Sequence, residues 1–333
     1  MWNFLSKINK NLIIVIPVVM LLGFIYGIGF NSNFLKSLIL PLTFLMVYPM
    51  MVTLNLKKLF ESKDNKTQIL TQLINFGIIP FIAFFTGKIF FAEKPFIALG
   101  LLLASLLPTS GMTISWTGFA KGNLEAAVKM TVIGLTLGSI ATPFYIKWLM
   151  GTSIEVNIAD IIKQIVIIVF IPMILGFITQ QIIIKKIGQK EFKEKIAQRF
   201  SSASTLGVLG IVFVAIALKA KSLFTYPEEL FLILTPLLGL YLFNYILSTF
   251  IGKLFLSRGD AIALVYGTVM RNLSIALAIA MNSFGSAGPD IALIISAAYI
   301  IQVQSAAWYV KFTDRIFGEF RRKESDLITC ESK

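Results

Sequence analysis

Apolar runs of about twenty residues alternate along this chain with short polar breaks, and the pattern predicts about ten membrane-spanning helices. The runs fall near 11–30, 34–56, 68–91, 95–119, 124–149, 158–184, 199–219, 229–256, 259–283 and 288–313. A helix rising 1.5 Å per residue needs roughly 20 residues to cross a hydrocarbon core of about 30 Å, so each run has the length of one crossing.

The runs also repeat. Leu22-Gly23-Phe24-Ile25 returns as Leu175-Gly176-Phe177-Ile178, Gly87-Lys88-Ile89-Phe90 as Gly252-Lys253-Leu254-Phe255, and Ile97-Ala98-Leu99 as Ile262-Ala263-Leu264. The last two echoes share a spacing of 165 residues, which points to two structural repeats. Five spans per repeat force the second copy to enter the membrane from the other side, so the repeats are inverted. The expected fold is therefore an all-α polytopic membrane protein of ten transmembrane helices. Residues 1–150 form the first five-helix repeat, 151–313 the inverted second repeat and 314–333 a cytoplasmic tail.

Composition agrees: 56% of the 333 residues are hydrophobic and 14% charged, more apolar surface than a soluble domain hides. The first run follows Lys7 and Lys10 as a secretory signal would. It extends past the usual signal length and meets Asn31-Ser32-Asn33, which reads as a retained helix. With the N-terminus inside, 21 of the lysines and arginines fall on the cytoplasmic side and 7 on the other, which predicts a plasma-membrane protein with both termini cytoplasmic. The formal charge of +13 belongs to that loop bias rather than to nucleic acid binding. The basic stretch from Lys185 to Arg199 reads as a linker resting on the anionic inner leaflet of the lipid bilayer.

Chemistry is expected where a span cannot stay helical. In the fourth span, Pro108-Thr109-Ser110-Gly111-Met112-Thr113 places proline and glycine three apart among hydroxyls. Backbone groups freed within lipid need protein, water or solute partners, so such breaks line cavities. The plainer alternative is a proline kink patched by Thr and Ser. By the 165-residue spacing, Pro108 corresponds to Leu273, beside Arg271-Asn272 and Ser274. An arginine this deep costs about 2.5–3.5 kcal/mol on insertion scales, so it must meet a wet cavity, carbonyls of the broken fourth span or an anionic solute. A purely structural cation is the alternative. Glu125 and Asp290, again 165 apart, start spans and read as helix-dipole partners. Asn75, Asn244, Gln302 and Gln304 are uncharged polar residues within spans, fit either to join helices or to line a site. Trp116, just after the break, is placed to wall a cavity. The chain has no His and a single cysteine, Cys330, in the tail. An enzyme's nucleophile, base or metal site is not legible, and no cofactor is expected.

Ten spans, inverted repeats, the Pro-Thr-Ser-Gly break followed by Lys121-Gly122-Asn123, and Arg271-Asn272 in the ninth span resemble the bile acid:sodium symporter superfamily and its arsenic-resistance branch of Acr3-like permeases. The resemblance implies that broken helices 4 and 9 cross at the midplane and that a panel moves against a core bundle to give alternating access. It departs in places. Where sodium-coupled members carry a Ser-Asn pair and then a glutamate and a glutamine, this chain has Thr113-Ile114, Gly267 and Arg271. The fourth-span cysteine and ninth-span glutamate of well-known arsenite permeases are also missing.

The expected function is secondary transport of a small anionic or polar solute, with efflux of arsenite or a related oxyanion as one form. Pro108, Thr109, Ser110, Gly111, Thr113, Arg271, Asn272 and Ser274 are the expected substrate-binding residues. Proton coupling and sodium coupling both stay open. The alternatives are a sodium-coupled organic anion importer and a non-transporting membrane sensor or scaffold.

Overall fold

The structure, a computed structural model, describes residues 11–54, 65–154, 158–225 and 228–319. Lys7, Lys10, Lys57, Lys58, Lys63, Arg321, Arg322, Lys323, Lys333 and Cys330 lie outside the described residues.

The ordered elements among the described residues are helices. They are α1 (Leu12–Gly29), α2 (Ile39–Val52), α3 (Asn65–Gly77), α4 (Ile79–Phe90), α5 (Pro95–Leu106), α6 (Gly111–Phe119) and α7 (Leu124–Tyr145). There follow α8 (Ile158–Ile165), α9 (Ile171–Ile187), α10 (Ala197–Thr225), α11 (Glu228–Phe255), α12 (Arg258–Val269), α13 (Leu273–Ser283) and α14 (Gly288–Phe317). Among the described residues, seven helical stretches are long and apolar enough to cross a membrane: Asn33–Val52, Asn65–Phe90, Leu124–Met150, Ala159–Ile187, Ala197–Lys221, Phe231–Phe255 and Gly285–Phe317. Shorter apolar helices run over Ile14–Gly29, Pro95–Leu106 and Leu273–Ser283. At about 1.5 Å per residue, the 12-residue α5 and α12 reach only about 18 Å, well short of a hydrocarbon core.

Local chemistry explains the interruptions. Pro80 has no N–H to offer the carbonyl of Phe76, so helix hands over from α3 to α4 at Ile78. The Tyr145 hydroxyl donates to that freed carbonyl at 2.6 Å. The basic stretch after α9 is less of a linker than its charge pattern indicates. Helical turns at Gln189–Glu191 and Phe192–Ile196 carry the chain from Gly188 almost without a break into α10.

Polar side chains divide the helices into two sets. In the first, α10 lies on α2 so closely that a Cβ on Gly207 would sit 2.4 Å from the Met46 nitrogen, and the Ser204 hydroxyl donates to the Met46 carbonyl at 2.6 Å. α9 joins the same set through Tyr48–Thr179 at 2.8 Å and through the Gln180 amide on the Val52 carbonyl, also 2.8 Å. α1 packs along α10, with Gly27 against Ala217. In the second set, α11 and α14 are pinned at successive turns by Tyr241–Gln302, Tyr245–Ser305 and Thr249–Tyr309. Gln68 ties α3 to α7 at the Ala126 carbonyl, α5, α12 and α13 are almost wholly buried, and α6 buries only Thr113 and Thr117. Between the two sets the packing is largely apolar.

Candidate functional site at the paired helix breaks

Helix α5 ends at Leu106 because Leu107, the residue preceding Pro108, is pushed out of the helical region. Thr109 then takes φ +65°, a left-handed conformation costing a β-branched residue about 1–2 kcal/mol. Its hydroxyl, buried against the Pro108, Met130 and Thr131 carbonyls at 2.6, 3.2 and 3.3 Å, offsets part of that strain. The α7 surface beneath is Gly134 and Gly138, where added Cβ atoms would lie 2.6 Å from Thr109 Oγ1 and 3.0 Å from Pro108 Cδ. Thr109→Val keeps the strain and removes the hydroxyl. It should lower stability in detergent by about 1–2 kcal/mol, read as a fall in melting temperature, whereas a surface Thr→Val change should leave it unmoved.

The second break answers the first. The Thr109 N–H donates to the Met270 carbonyl and the Asn272 N–H to the Leu107 carbonyl, both at 2.7 Å, making an antiparallel bridge between Pro108 and Arg271. Gln302 completes the pattern as a strand would. Its Oε1 accepts the Arg271 N–H at 2.7 Å, and its Nε2 donates to the Arg271 carbonyl at 3.2 Å. Backbone groups that lost their helical partners thus find one another, as burial requires.

Each break exposes helix ends of both signs. The negative ends are closed from within. Arg271 Nη1 donates to the Ser105 carbonyl in the last turn of α5 at 3.0 Å. The amides of Asn75 and Asn244 donate to the Gly267 and Thr268 carbonyls, near the end of α12, at 3.0 and 2.9 Å. Arg271 is 3% exposed and lines a gap of about 10 Å³ with Ser105, Tyr241 and Asn244, while its Nη2 is buried without a partner among the described residues. Of the surroundings the sequence allowed for this cation, the structure selects carbonyl of the broken fourth span. The larger cavity is elsewhere, and Arg271 is not among its lining residues.

The positive ends open on that cavity. Ser110 caps α6, its hydroxyl accepting the Met112 N–H at 3.2 Å and its own N–H held by Thr113 Oγ1 at 3.1 Å. Asn272 caps α13, its Oδ1 accepting the Ile275 N–H at 3.2 Å. Both caps line a cavity of about 370 Å³ bounded on the other side by Met50, Met51, Thr53 and Leu54 at the end of α2. It therefore lies between the two helix sets. Three hydroxyls, from Ser110, Thr53 and Thr131, the Asn272 amide and, at the edge, the Glu125 carboxylate are the polar side chains in an otherwise mostly apolar wall.

Of the residues expected from sequence, Ser110, Gly111 and Asn272 line this cavity. Pro108, Thr109 and Thr113 form the buried turn behind it, Arg271 occupies its separate gap, and the Ser274 hydroxyl is 2.5 Å from that of Tyr299. Trp116 packs edge-on to Phe119 rather than on the cavity, since it falls on the far side of α6. Asn75, Asn244 and Gln302 all serve the breaks, whereas Gln304 is exposed. Sequence reasoning missed Thr53, Thr131 and Glu125 as lining residues. It also missed Gly134 and Gly138, although a Gly-x-x-x-Gly spacing in an apolar run signals close backbone approach.

Comparison with known proteins supplies context. The profile of the sodium bile acid symporter family matches residues 40–226. The chain is 25% identical over 219 residues to the uncharacterized protein YbaS of Bacillus subtilis, an alignment covering 66% of this chain and 70% of that one. It is 26% identical over 209 residues to the arsenical-resistance protein Acr3 of Alkaliphilus metalliredigens, covering 59% and 58%. With the uncharacterized sodium-dependent transporter YocS of Bacillus subtilis it shares 25% identity over 271 residues, covering 80% and 82%.

Proposed function

The chain belongs to the sodium bile acid symporter family, and we propose that it is a secondary transporter carrying a small anionic or polar solute by alternating access. The observation that carries this reading is the cavity: the positive ends of two half-helices, capped by Ser110 and Asn272, open on one space between two separately cross-linked helix sets. Such ends bind negative or electron-rich groups without a charged side chain, through unpaired N–H groups and the helix dipole. An oxyanion fits these donors, and arsenite or a related oxyanion is one form of the solute, its efflux one form of the transport. Thiol recognition is not part of this mechanism, because no cysteine lies outside the tail.

In this reading α5 with α6, and α12 with α13, each cross the membrane as one interrupted span. That makes ten spans in two inverted repeats, in a multi-pass plasma-membrane protein with both termini cytoplasmic. The first helix set slides against the second, and solute bound at the breaks is presented to alternate sides.

The residues at the second break do not fit sodium. A bound sodium ion needs several free oxygen ligands, usually with a carboxylate among them. Here the Gly267 and Thr268 carbonyls already accept amide hydrogens, and a guanidinium stands four residues on. A Cβ on Gly267 would lie 2.5 Å from Met130 Sδ, so that space is filled by a thioether. Arg271 supplies a fixed positive charge instead, and transport runs without sodium.

The test is flux of arsenite, antimonite and small carboxylates in proteoliposomes. Replacing sodium by potassium should leave the rate unchanged, and Ser110→Ala with Thr131→Val should raise the half-saturation concentration by about tenfold, for two lost hydrogen bonds. Collapse of flux without sodium would overturn the ion-independent reading. Saturable binding with no flux of any solute would favour a sensor instead.

A further inference from the structure

We propose that the ion pair between Lys219 and Asp290 is a latch, holding the two helix sets together on the side of the protein opposite the cavity. This rests on the alternating-access reading and adds a device to it.

The argument begins with where the two sets are joined by polar groups. Within each set, side-chain hydrogen bonds are frequent. Across the boundary, those shown among the described residues are Asn282 Nδ2 donating to Thr43 Oγ1 at 3.0 Å and Lys219 Nζ meeting Asp290 Oδ1 at 2.5 Å. Asn272 reaches toward Met50 only through a 4.0 Å amide–sulfur approach. The firm links lie at one end. Helices α2 and α10 run antiparallel, since Gly207 lies on Met46 while Gly210 lies on Leu42. Moving along α10 from Ser204, at the level of Met46, Lys219 lies about 22 Å further on, away from Met50–Leu54. Asp290 sits in the first turn of α14, and Asp314, in its last, is bound to Arg258. Arg258 in turn donates to the carbonyl of Lys121, close to Glu125 on the cavity's edge. The cavity therefore runs from Asn272, whose neighbour Arg271 is bonded to Gln302 about 18 Å along α14 from Asp290, toward Glu125 at the Asp314 end, on the side away from the ion pair.

The side chains are 20% and 32% exposed, so the pair is partly withdrawn from solvent at a boundary that must part if the far side opens. Its attraction acts only while the sets touch there. That is the property required of a latch, a differential contact favouring one of two states. The repeat relation strengthens the assignment. Glu125, 165 residues before Asp290 and its counterpart in the repeat reading, lines the cavity and is in no ion pair shown among the described residues. Equivalent acids thus stand in opposite situations on the two sides, paired where the sets are closed and unpaired where they are open.

Side-specific thiol labelling tests this without needing a known solute. Cys330 is the chain's one cysteine, so Cys330→Ser provides a clean background. In it, Val47→Cys places a near-isosteric probe one turn from Thr43, at a site now 1% exposed. An impermeant maleimide applied to the side opposite the cavity should label this probe slowly. Asp290→Asn or Lys219→Gln should speed labelling by about fivefold, the population shift expected from losing one such pair. The charge-swapped double variant Lys219→Asp with Asp290→Lys should restore the slow rate. Unchanged labelling in both single variants, with the protein still folded by thermal melt, overturns the latch. Faster labelling reversed by the swap, in protein that moves no solute, supports the latch and sinks the carrier reading alone. Faster labelling that the swap does not reverse also overturns it, since a merely loosened fold would behave that way.

Discussion

Arg271→Gln should reduce solute flux by at least about tenfold while moving the melting temperature in detergent by only a few degrees. The two halves of this expectation have separate causes. Losing a cation from the negative end of a helix costs up to about 2 kcal/mol in a partly buried geometry. Here the Ser105 carbonyl in the last turn of α5 would lose its charged partner within the apolar interior. Against that loss, the guanidinium is fully buried with Nη2 unpartnered, and removing such a group recovers part of the desolvation it suffers. Stability therefore changes little. Function does not share this cancellation, because fixed positive charge at the crossing opposes the negative ends of α5 and α12 whether the cavity is filled or empty. Arg271→Lys keeps the charge but lacks the planar fork, and should retain an intermediate flux. Equal flux in parent and Arg271→Gln proteoliposomes would remove the cation from the mechanism.

Gly134→Val should destabilise the protein by about 3 kcal/mol and abolish flux, with Gly134→Ala intermediate. The first atom of a side chain here already falls 2.6 Å from Thr109 Oγ1 and 3.2 Å from the Pro108 carbonyl. Neither can retreat cheaply, because Thr109 is held by three carbonyls and by the Met270 bridge on its other side. Overpacking of this kind costs about 1–3 kcal/mol even where the backbone can shift, and this backbone carries the bridge between the breaks. Thermal melts and flux on the same preparations check both effects. A Gly134→Val protein that melts with the parent would show that the turn is free to move.

Much of the site could be read in the chain alone. A proline beside hydroxyls and glycine within an apolar run has few stable outcomes in a membrane, so the break at 107–110 followed from residue chemistry. Arg271 had to meet carbonyls, water or an anion for the same reason. The 165-residue spacing also matched Pro108 to the neighbourhood of Arg271, and the bridge joins those two residues. Hydropathy likewise marked out the seven described helices long enough to cross, but not that the runs at 95–119 and 259–283 are each divided into two short helices.

What the sequence determined is thus the helical membrane class, the places where helix must stop and the residues too costly to leave unpartnered in lipid. Only the tertiary structure decided which end of each broken helix faces which surroundings. That is why the cavity falls to Ser110 and Asn272, why Arg271 turns to Ser105, and why Asp290 meets Lys219 rather than serving its own helix alone. The reason is physical: polarity and length are properties of a segment, but a partner is a property of distance, and residues 105 and 271 become neighbours only when the helices pack.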